Sequence, residues 1–269
     1  MGSTVPNATQ MAGRIAALRD AFGGAATGWP SPDDDDAGTS RHGRLTRVTS
    51  AHADSRHPEW LHRFLNVGVA FCALILLAPF VLLIALLIKV SSPGHVFYTQ
   101  TRVGLDRRAY RGDRQMTRRE EDLGGRVFTI YKFRSMRVDA EVPGEAVWAS
   151  KDDPRITGIG DLLRKTRLDE LPQLWNVLRG EMNVVGPRPE RPSIFLSLRT
   201  QVESYHLRQR VKPGITGWAQ INQAYDSCIE DVKNKVALDL EYISNRSVWL
   251  DLRIMLKTPL IMVWRKGAH

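Results

Sequence analysis

Cysteine is nearly absent from this chain of 269 residues, which contains only Cys72 and Cys228. The two form no spacing typical of a metal or redox motif, and Cys72 lies inside an apolar run, so we expect no disulfide and a reducing compartment. Acidic residues are also in deficit, because 38 Lys and Arg against 29 Asp and Glu give a formal net charge of +9. Such a chain favours an anionic partner, namely nucleic acid, an anionic bilayer or a phosphorylated substrate.

Residues 1–60 contain few aromatic side chains and are rich in Gly, Ala, Ser, Asp and Arg. A segment of this composition buries too little apolar surface to offset the entropy of folding, so it predicts a disordered tail. The four aspartates at 33–36 have no structured flank, and we interpret them as a solvated acidic run rather than a metal site.

Residues 64–90 read FLNVGVAFCALILLAPFVLLIALLIKV and are long and apolar enough for a membrane segment. No second apolar run approaches twenty residues, and this one begins too far along the chain for a signal peptide. Pro79 lies in its middle, where the ring removes one backbone donor and clashes with the preceding turn, so a break or kink is predicted there.

Basic residues flank the apolar run on both sides: Arg56 and Arg63 before it, then Lys89, Arg102, Arg107 and Arg108 after it. The positive-inside rule favours the cytoplasm for both flanks, which a straight span cannot satisfy. The residues alone leave two courses open, an ordinary kinked transmembrane helix and a re-entrant helix that bends at Pro79 and leaves by the face it entered.

The C-terminal residues 249–264, WLDLRIMLKTPLIMVW, alternate apolar and charged side chains between two tryptophans. This pattern is typical of an interfacial helix that lies among the lipid headgroups, and we expect Pro259 to break it. A core helix of a soluble domain is the alternative. Upstream, strands are predicted near residues 96–100 and 126–136, and the second would carry the cations Lys132 and Arg134.

The stretch TRLDELPQLWNVLRG, residues 166–180, places Asp169 and Glu170 just before a proline-started helix that Gly180 ends. Leu171, Leu174, Trp175 and Leu178 have the spacing of a buried helical face. Two interpretations of the acids stay open. They could simply cap the helix, where orphan N–H groups favour carboxylates, or supply an anionic nucleophile.

Arg188 lies between Pro187 and Pro189, whose fixed dihedrals present its guanidinium with little entropy left to lose. A planar guanidinium held in this way suits bidentate binding of phosphate oxygens. A rigid linker with an incidental arginine is the competing interpretation.

These pieces together resemble the monotopic phosphoglycosyl transferases, bacterial sugar transferases that begin the assembly of exopolysaccharides and other glycans. The matching motifs are the helix broken at Ala78-Pro79, SSPGHVFYTQTRVG, FTIYKFRSMRVDAE, DLLRKTRLDELPQLWNVLRGEMNVVGPRP and VKPGITGWAQIN. They run in the family's order from about residue 64 to the C-terminus. The family's membrane element is re-entrant and often has Ser-Pro at the break, where this chain has Ala78-Pro79.

The resemblance implies transfer of a sugar 1-phosphate from a UDP-sugar to undecaprenyl or another polyprenyl phosphate, with Mg²⁺ as the cofactor. Asp169 would be the nucleophile and a metal ligand, and Glu170 its partner in a catalytic dyad. Arg188 and Arg164 would bind substrate phosphate, and the strand cations Lys132 and Arg134 are further candidates for that role.

The expected fold is α+β and mostly helical, with three parts: the tail over 1–60, a re-entrant helix over 61–91 and a catalytic domain with interfacial helices over 92–269. We expect it at the cytoplasmic face of the bacterial inner membrane, in contact with lipids and not nucleic acid, with a homo-oligomer left open. A membrane-anchored basic binding protein is the alternative function. A glycosyltransferase with a metal site at Asp152-Asp153 is a weaker third, because no strand pattern surrounds it.

Overall fold

The computed structural model describes residues 58–106, 124–138, 140, 153–223 and 228–264, so almost all of the predicted tail lies outside the described residues. The described α-helices are α1 (Glu59–Ser91), α2 (Gly158–Lys165), α3 (Gln173–Arg179), α4 (Pro192–Gln201), α5 (Trp218–Asn222), α6 (Ile229–Ser244) and α7 (Val248–Trp264). The strands are β1 (Phe97–Val103), β2 (Val127–Phe133), β3 (Asn183–Val185) and β4 (Gly214–Thr216), and two 3-10 helices span Leu168–Glu170 and Tyr205–Arg210. The fold is mostly helical, as predicted.

Helix α1 is the apolar run of the sequence, and it is the one described helix long and apolar enough to cross a membrane. It has 33 residues and stays helical through Pro79, so the predicted division into two helices needs correction. The backbone donor that proline lacks costs a single hydrogen bond, which the flanking turns of a long helix tolerate. At 1.5 Å per residue the helix is about 50 Å long.

Both halves of α1 pack against β2, and each also packs against a different helix. Ala70, in the first half, belongs to an apolar cluster with residues of β2 and α3. Ile84 and Ile88, in the second half, pack with Phe133 of β2 and Leu163 of α2. Much of the remaining surface of α1 is exposed and apolar, including Phe64, Phe71, Ile75, Leu76, Phe80, Leu82, Leu83, Leu86, Leu87 and Val90.

The strands form two small sheets. Strands β1 and β2 pair antiparallel over their full length, from Phe97 opposite Phe133 to Val103 opposite Val127. This confirms both predicted strands with shifted ends. Strands β3 and β4 pair in parallel, and their backbones approach so closely that a Cβ on Gly214 would lie 2.1 Å from the amide nitrogen of Gly186. Only glycine permits this approach.

The helix predicted to begin at Pro172 begins at Gln173, and Gly180 ends it in the left-handed region at φ 78°. Leu174 and Val177 are its buried apolar residues, whereas Trp175 is 53% exposed, so Trp175 was wrongly assigned to the buried face. Leu171 and Leu178, the other two predicted positions, are partly buried against the cluster that contains Leu174 and Val177.

Helix α7 confirms the predicted C-terminal helix but continues through Pro259 without the expected break. Asp251 and Ile254 are fully buried on one side of it. Trp249, Leu256 and Leu260 are exposed, and at 100° per residue these three positions share one face within about 40°. An exposed apolar stripe opposite a buried side fits the predicted interfacial helix better than a core helix.

Candidate active site

Glu170 lies where three elements meet. Its Oε1 accepts from Nζ of Lys132 on β2 at 3.0 Å and from Nη2 of Arg188, in the loop after β3, at 2.5 Å. Nη1 of Arg188 also lies 3.4 Å from Oε2. The Glu170 side chain is nearly buried, so both cations are held in a part of the site from which water is largely excluded.

The predicted capping role for the two acids is not what the structure shows. Asp169 and Glu170 form a separate 3-10 turn, and α3 has Pro172 at its N-cap with no side-chain cap bond. Arg167 enters this turn in the left-handed region at φ 53°, which reverses the chain after α2. Its Nη1 lies 3.9 Å from Oε2 of Glu170, a contact that the sequence pattern did not reveal.

Asp169 differs sharply from its neighbour. It is buried, with 8% of its surface exposed, yet within the described part of the chain its carboxylate makes no hydrogen bond or ion pair. Burial raises the pKa of Asp169, although Lys132 opposes that shift, while the negative charge of Glu170 adds to it. The carboxylate therefore keeps its lone pairs available in a site rich in cations.

The pKa of Glu170 moves the other way. Burial alone would raise it, but Arg188 and Lys132 together outweigh burial, and the pKa lies well below its usual value. A carboxylate that stays ionised and has both oxygens near cations makes a poor general base. The geometry assigns Glu170 to holding Lys132 and Arg188 in place.

The loop that carries Arg188 is fixed by hydrogen bonds to its backbone. The carbonyl of Arg188 accepts from Nη2 of Arg208 at 3.1 Å, and that of Pro189 accepts from Nη1 of Arg102 at 3.1 Å. The amide of Val103 donates to the carbonyl of Glu190 at 2.9 Å. Rigid backbone on both sides of Arg188 supports the predicted presentation of its guanidinium and argues against an incidental linker.

Behind this loop lies a second group of charges. Arg208 is buried and pairs with Asp239 at 2.7 Å. Its Cζ lies 5.0 Å from the centroid of the Tyr205 ring, in a cation–π contact. Glu190 pairs with Lys235 at 2.9 Å and lies 3.8 Å from Arg208. Burial alone would raise the pKa of Glu190, but Lys235 and Arg208 hold it at about 2.

Of the residues that the sequence singled out, the structure brings together Asp169, Glu170, Lys132 and Arg188. Arg164 on α2 is near enough to lower the pKa of Asp169. Arg134 does not join them. Its guanidinium donates to the carbonyls of Ser92 and Pro93 and to Oγ of Ser92, which gives it a structural role at the end of α1 and leaves its predicted phosphate-binding role unsupported.

The sequence did not single out two further residues that touch the site region. Gln220 of α5 accepts from Nη1 of Arg188 at 3.2 Å, and Asn176 joins α3 to β2, the strand that carries Lys132. The Asn176 amide donates to the carbonyl of Thr129 at 2.7 Å, and its oxygen accepts from the amide of Tyr131 at 3.2 Å. Both are uncharged polar residues, and the sequence pattern pointed only to the charged residues of their motifs.

Metal binding at this site would depend on few protein ligands. Among the residues that the structure describes, no group of three or more His, Cys, Asp or Glu side chains is arranged to hold an ion. Mg²⁺ does not require such a group, because it commonly binds one or two carboxylates together with substrate phosphates and water. The unpaired carboxylate of Asp169 fits that role.

A family model described as "Bacterial sugar transferase" matches residues 57–265, which include α1, the dyad, the Arg188 loop and most of α7. The chain belongs to the bacterial sugar transferase family. The match runs across every element that contributes to the site and is not confined to a single motif.

Curated relatives agree with this membership. The chain is 42% identical over 211 residues to UDP-glucose:undecaprenyl-phosphate glucose-1-phosphate transferase of Escherichia coli, covering 78% of this chain and 41% of that protein. It is 39% identical over 210 residues to UDP-N-acetylgalactosamine-undecaprenyl-phosphate N-acetylgalactosaminephosphotransferase of Aeromonas hydrophila, covering 78% and 45%. It is 40% identical over 204 residues to the exopolysaccharide production protein PSS of Rhizobium leguminosarum, covering 74% and 92%. The chain thus spans less than half the length of the first two.

Proposed function

We propose that this protein transfers a sugar 1-phosphate from a UDP-sugar to undecaprenyl phosphate, releasing UMP, as a membrane step in exopolysaccharide assembly. The observation that carries the proposal is the buried, unpaired carboxylate of Asp169 beside cations that Glu170 holds in place. The activities named for the two longer relatives support a UDP-sugar and undecaprenyl phosphate as the substrates.

In the first step, an oxygen of the Asp169 carboxylate attacks the phosphorus that bears the sugar. A bond forms between aspartate oxygen and phosphorus, and the anhydride bond between the two phosphates breaks. UMP leaves with the bridging oxygen, and the sugar phosphate stays on Asp169. A carboxylate needs no deprotonation by a base at neutral pH, and Arg188 and Lys132 are placed to offset charge on the phosphates.

In the second step, a phosphate oxygen of the polyprenyl phosphate attacks the same phosphorus. The bond from phosphorus to Asp169 breaks, which regenerates the carboxylate and gives the polyprenyl diphosphate sugar. The attacking phosphate is already anionic near neutral pH and needs no base. This agrees with the lowered pKa of Glu170, whose ion pairs leave it no proton to exchange in the working range.

Mg²⁺ would be held by Asp169 and by diphosphate oxygens of the substrate. When bound, it supplies charge neutralisation at the diphosphate and favours departure of the leaving group. Asp169 fits this role because its carboxylate makes no ion pair with the described residues and is available as a ligand. Mg²⁺ can take its remaining ligands from phosphate and water.

The membrane course we propose is re-entrant, with both ends of α1 on the cytoplasmic side. Its two halves both pack against β2, the first together with α3 and the second together with α2. This course requires the continuous helix to bend near Pro79, where a proline kink is expected, because a straight crossing would carry one end about 30 Å across the hydrocarbon core, away from β2. The exposed apolar stripe of α7 would lie on the same membrane surface, so the site would open at the depth of a polyprenyl phosphate headgroup.

The test uses the full chain in nanodiscs with Mg²⁺, undecaprenyl phosphate and a panel of UDP-hexoses and UDP-N-acetylhexosamines. We expect UMP release with at least one donor and, without acceptor, a burst of one UMP per active site. Mass spectrometry of the quenched enzyme should find a sugar phosphate on the peptide that contains Asp169.

Three results would contradict the proposal. Release of UDP instead of UMP would indicate a glycosyltransferase. No product with any donor, together with salt-sensitive binding to anionic vesicles, would favour the membrane-anchored binding protein. Full activity of an Asp169→Asn variant would exclude the covalent route.

A further inference from the structure

The first two turns of α1 are joined to the rest of the protein by polar contacts, although this helix is otherwise apolar. Four of its residues bond to side chains or backbone groups elsewhere, namely Glu59 to Arg246, His62 to Asp251, Arg63 to Val177 and Leu178, and Asn66 to Val184. Polar side chains in a membrane-associated helix are costly unless they are paired, so these four contacts suggest a specific requirement at this end of α1.

Arg63 binds the end of the helix that follows the dyad. Its Nη1 donates to the carbonyl of Val177 at 2.5 Å, and its Nη2 donates to that of Leu178 at 2.7 Å. These carbonyls belong to the last turn of α3, where carbonyls generally lack intrahelical partners, although that of Val177 also accepts from the amide of Gly180 at 3.0 Å. Arg63 therefore fixes the C-terminal end of α3 against α1, and with it the turn that carries Asp169 and Glu170.

Asn66 binds the strand that leads to Arg188. Its Oδ1 accepts from the amide of Val184 at 2.5 Å, and its Nδ2 donates to the carbonyl of His62 at 2.6 Å. Asn66 is fully buried. Strand β3 pairs only with β4 among the described strands, so the Asn66 side chain supplies a bond that a further strand would otherwise make.

Hydrogen bonds hold the backbone between Val184 and Arg188 in place. The amide of Gly186 donates to the carbonyl of Thr216 at 2.9 Å, and that of Gly214 donates to the carbonyl of Pro187 at 3.0 Å. A shift of β3 would therefore be transmitted to Arg188 along a short, hydrogen-bonded stretch of backbone.

We infer that Arg63 and Asn66 are positioning residues for the proposed transfer. Arg63 and Asn66 lie on adjacent turns of α1 and bind α3 and β3, respectively. They therefore set the distance between the dyad and Arg188, and they fix both relative to the membrane helix. The inference rests on the proposed function for its kinetic consequence, but its structural content is separate: the Val184 amide is protected because Asn66 accepts from it.

The deciding comparison is between Asn66→Leu and Asn66→Asp. Leucine has a similar size but no acceptor, so it leaves the Val184 amide without its partner. Aspartate keeps the oxygen acceptor, and burial favours its neutral form, whose hydroxyl can donate to the His62 carbonyl in place of Nδ2, so it should restore the bond. Val236→Ala is the matched control, because it removes buried apolar atoms from a separate cluster that contains no α1 residue and lowers stability without touching β3.

For Asn66→Leu we expect kcat to fall about 10- to 100-fold, the loss associated with a misplacement of about 1 Å in a catalytic constellation, with a smaller rise in KM for the UDP-sugar. Asn66→Asp should recover most of kcat. Val236→Ala, measured where the same fraction is folded, should keep kcat. Hydrogen exchange in nanodiscs should show faster exchange over residues 183–188 for Asn66→Leu alone.

The outcomes separate the two proposals. If the wild type releases no UMP, the proposed function fails, and the exchange experiment still tests the contact. If exchange over residues 183–188 and kcat are both unchanged in Asn66→Leu, or if Asn66→Asp is as impaired as Asn66→Leu, the positioning role is overturned. An equal loss of kcat in Val236→Ala would likewise overturn it, because general destabilisation would then explain the effect.

Discussion

The loop around Arg188 separates two groups of charged side chains that differ in how fully their charges are paired. In front of it, cations outnumber carboxylates: Lys132, Arg164, Arg167 and Arg188 surround Asp169 and Glu170. Behind it, Arg208 and Lys235 are matched by Glu190 and Asp239. The rear group is buried and paired, whereas the front group has positive charge in excess and one carboxylate, that of Asp169, with no ion pair among the described residues.

This difference indicates what each group does. A balanced buried network stabilises one arrangement of the backbone and has no capacity for a ligand, although it need not add much net stability. A group with surplus cations favours binding of an anion that completes it, and a diphosphate has the required charge. The rear group therefore holds the loop, and the front group binds and reacts.

Asp169→Asn should give the largest effect. The amide cannot form the phosphosugar intermediate, so we expect UMP release to fall by about 10⁴-fold or more, as is found when other enzymes lose a nucleophile. Because burial raises the pKa of Asp169, its charge disfavours the folded state at neutral pH, and the variant should be at least as stable as wild type by thermal unfolding.

Asp161→Asn is the matched control for this substitution. Asp161 is an exposed acid on α2 that pairs with Lys165 at 2.6 Å, and an exposed pair of this kind contributes little to stability. It should change neither activity nor stability measurably. A comparable loss of activity in both variants would remove the distinction between the front group and an ordinary surface acid.

Arg208→Met should act on stability before chemistry. Removing Arg208 leaves Asp239 without its 2.7 Å ion-pair partner, while Glu190 keeps Lys235, and breaking a buried pair typically costs about 3–5 kcal/mol in the free energy of unfolding. Denaturant unfolding in detergent measures it. If the variant loses activity while unfolding normally, the rear group takes part in the chemistry and the proposed division is wrong.

Arg188→Lys tests the front group more finely. Lysine keeps the charge but cannot bind two phosphate oxygens in a plane, so we expect kcat/KM to fall about 10- to 100-fold, the value of one or two charged hydrogen bonds. Arg167→Lys is the parallel change at a cation that lies 3.9 Å from Glu170 and makes the weaker contact. Equal losses in the two variants would mean that charge alone, and not the fork of Arg188, matters.

How much the sequence could predict differs between these two regions. Alternation of side chains predicted β1 and β2, whereas β3 and β4 were not predicted. Proline and glycine set dihedrals locally, so the rigid Arg188 loop and the end of α3 followed from the residues. The motifs also singled out Asp169, Glu170, Lys132 and Arg188. What failed depended on distant partners: Arg134 lies on the predicted strand but turns to Ser92, and no local pattern indicates that Asn66 meets Val184.

The smallest predicted effect concerns pH, because Asp169 in the front group and Glu190 in the rear group should titrate in different pH ranges. Because the pKa of Asp169 is raised, this carboxylate becomes protonated first as the pH falls. Glu190, with a pKa of about 2, keeps its stabilising charge until far lower pH. The linkage has opposite signs: the Asp169 contribution to stability is lost as pH rises through its pKa, and that of Glu190 is lost as pH falls.

An acidic range should therefore exist in which the protein is folded but inactive. The UMP burst without acceptor is the suitable measurement, since it omits titration of the polyprenyl phosphate. We expect its acidic limb above the ordinary aspartate value of about 3.9, with thermal unfolding still cooperative there. Arg164→Gln removes a cation that lowers the pKa of Asp169, so it should move the limb to higher pH. A limb that stays in place, or lies at or below the ordinary value, would show that Asp169 is not the group whose ionisation limits the first step.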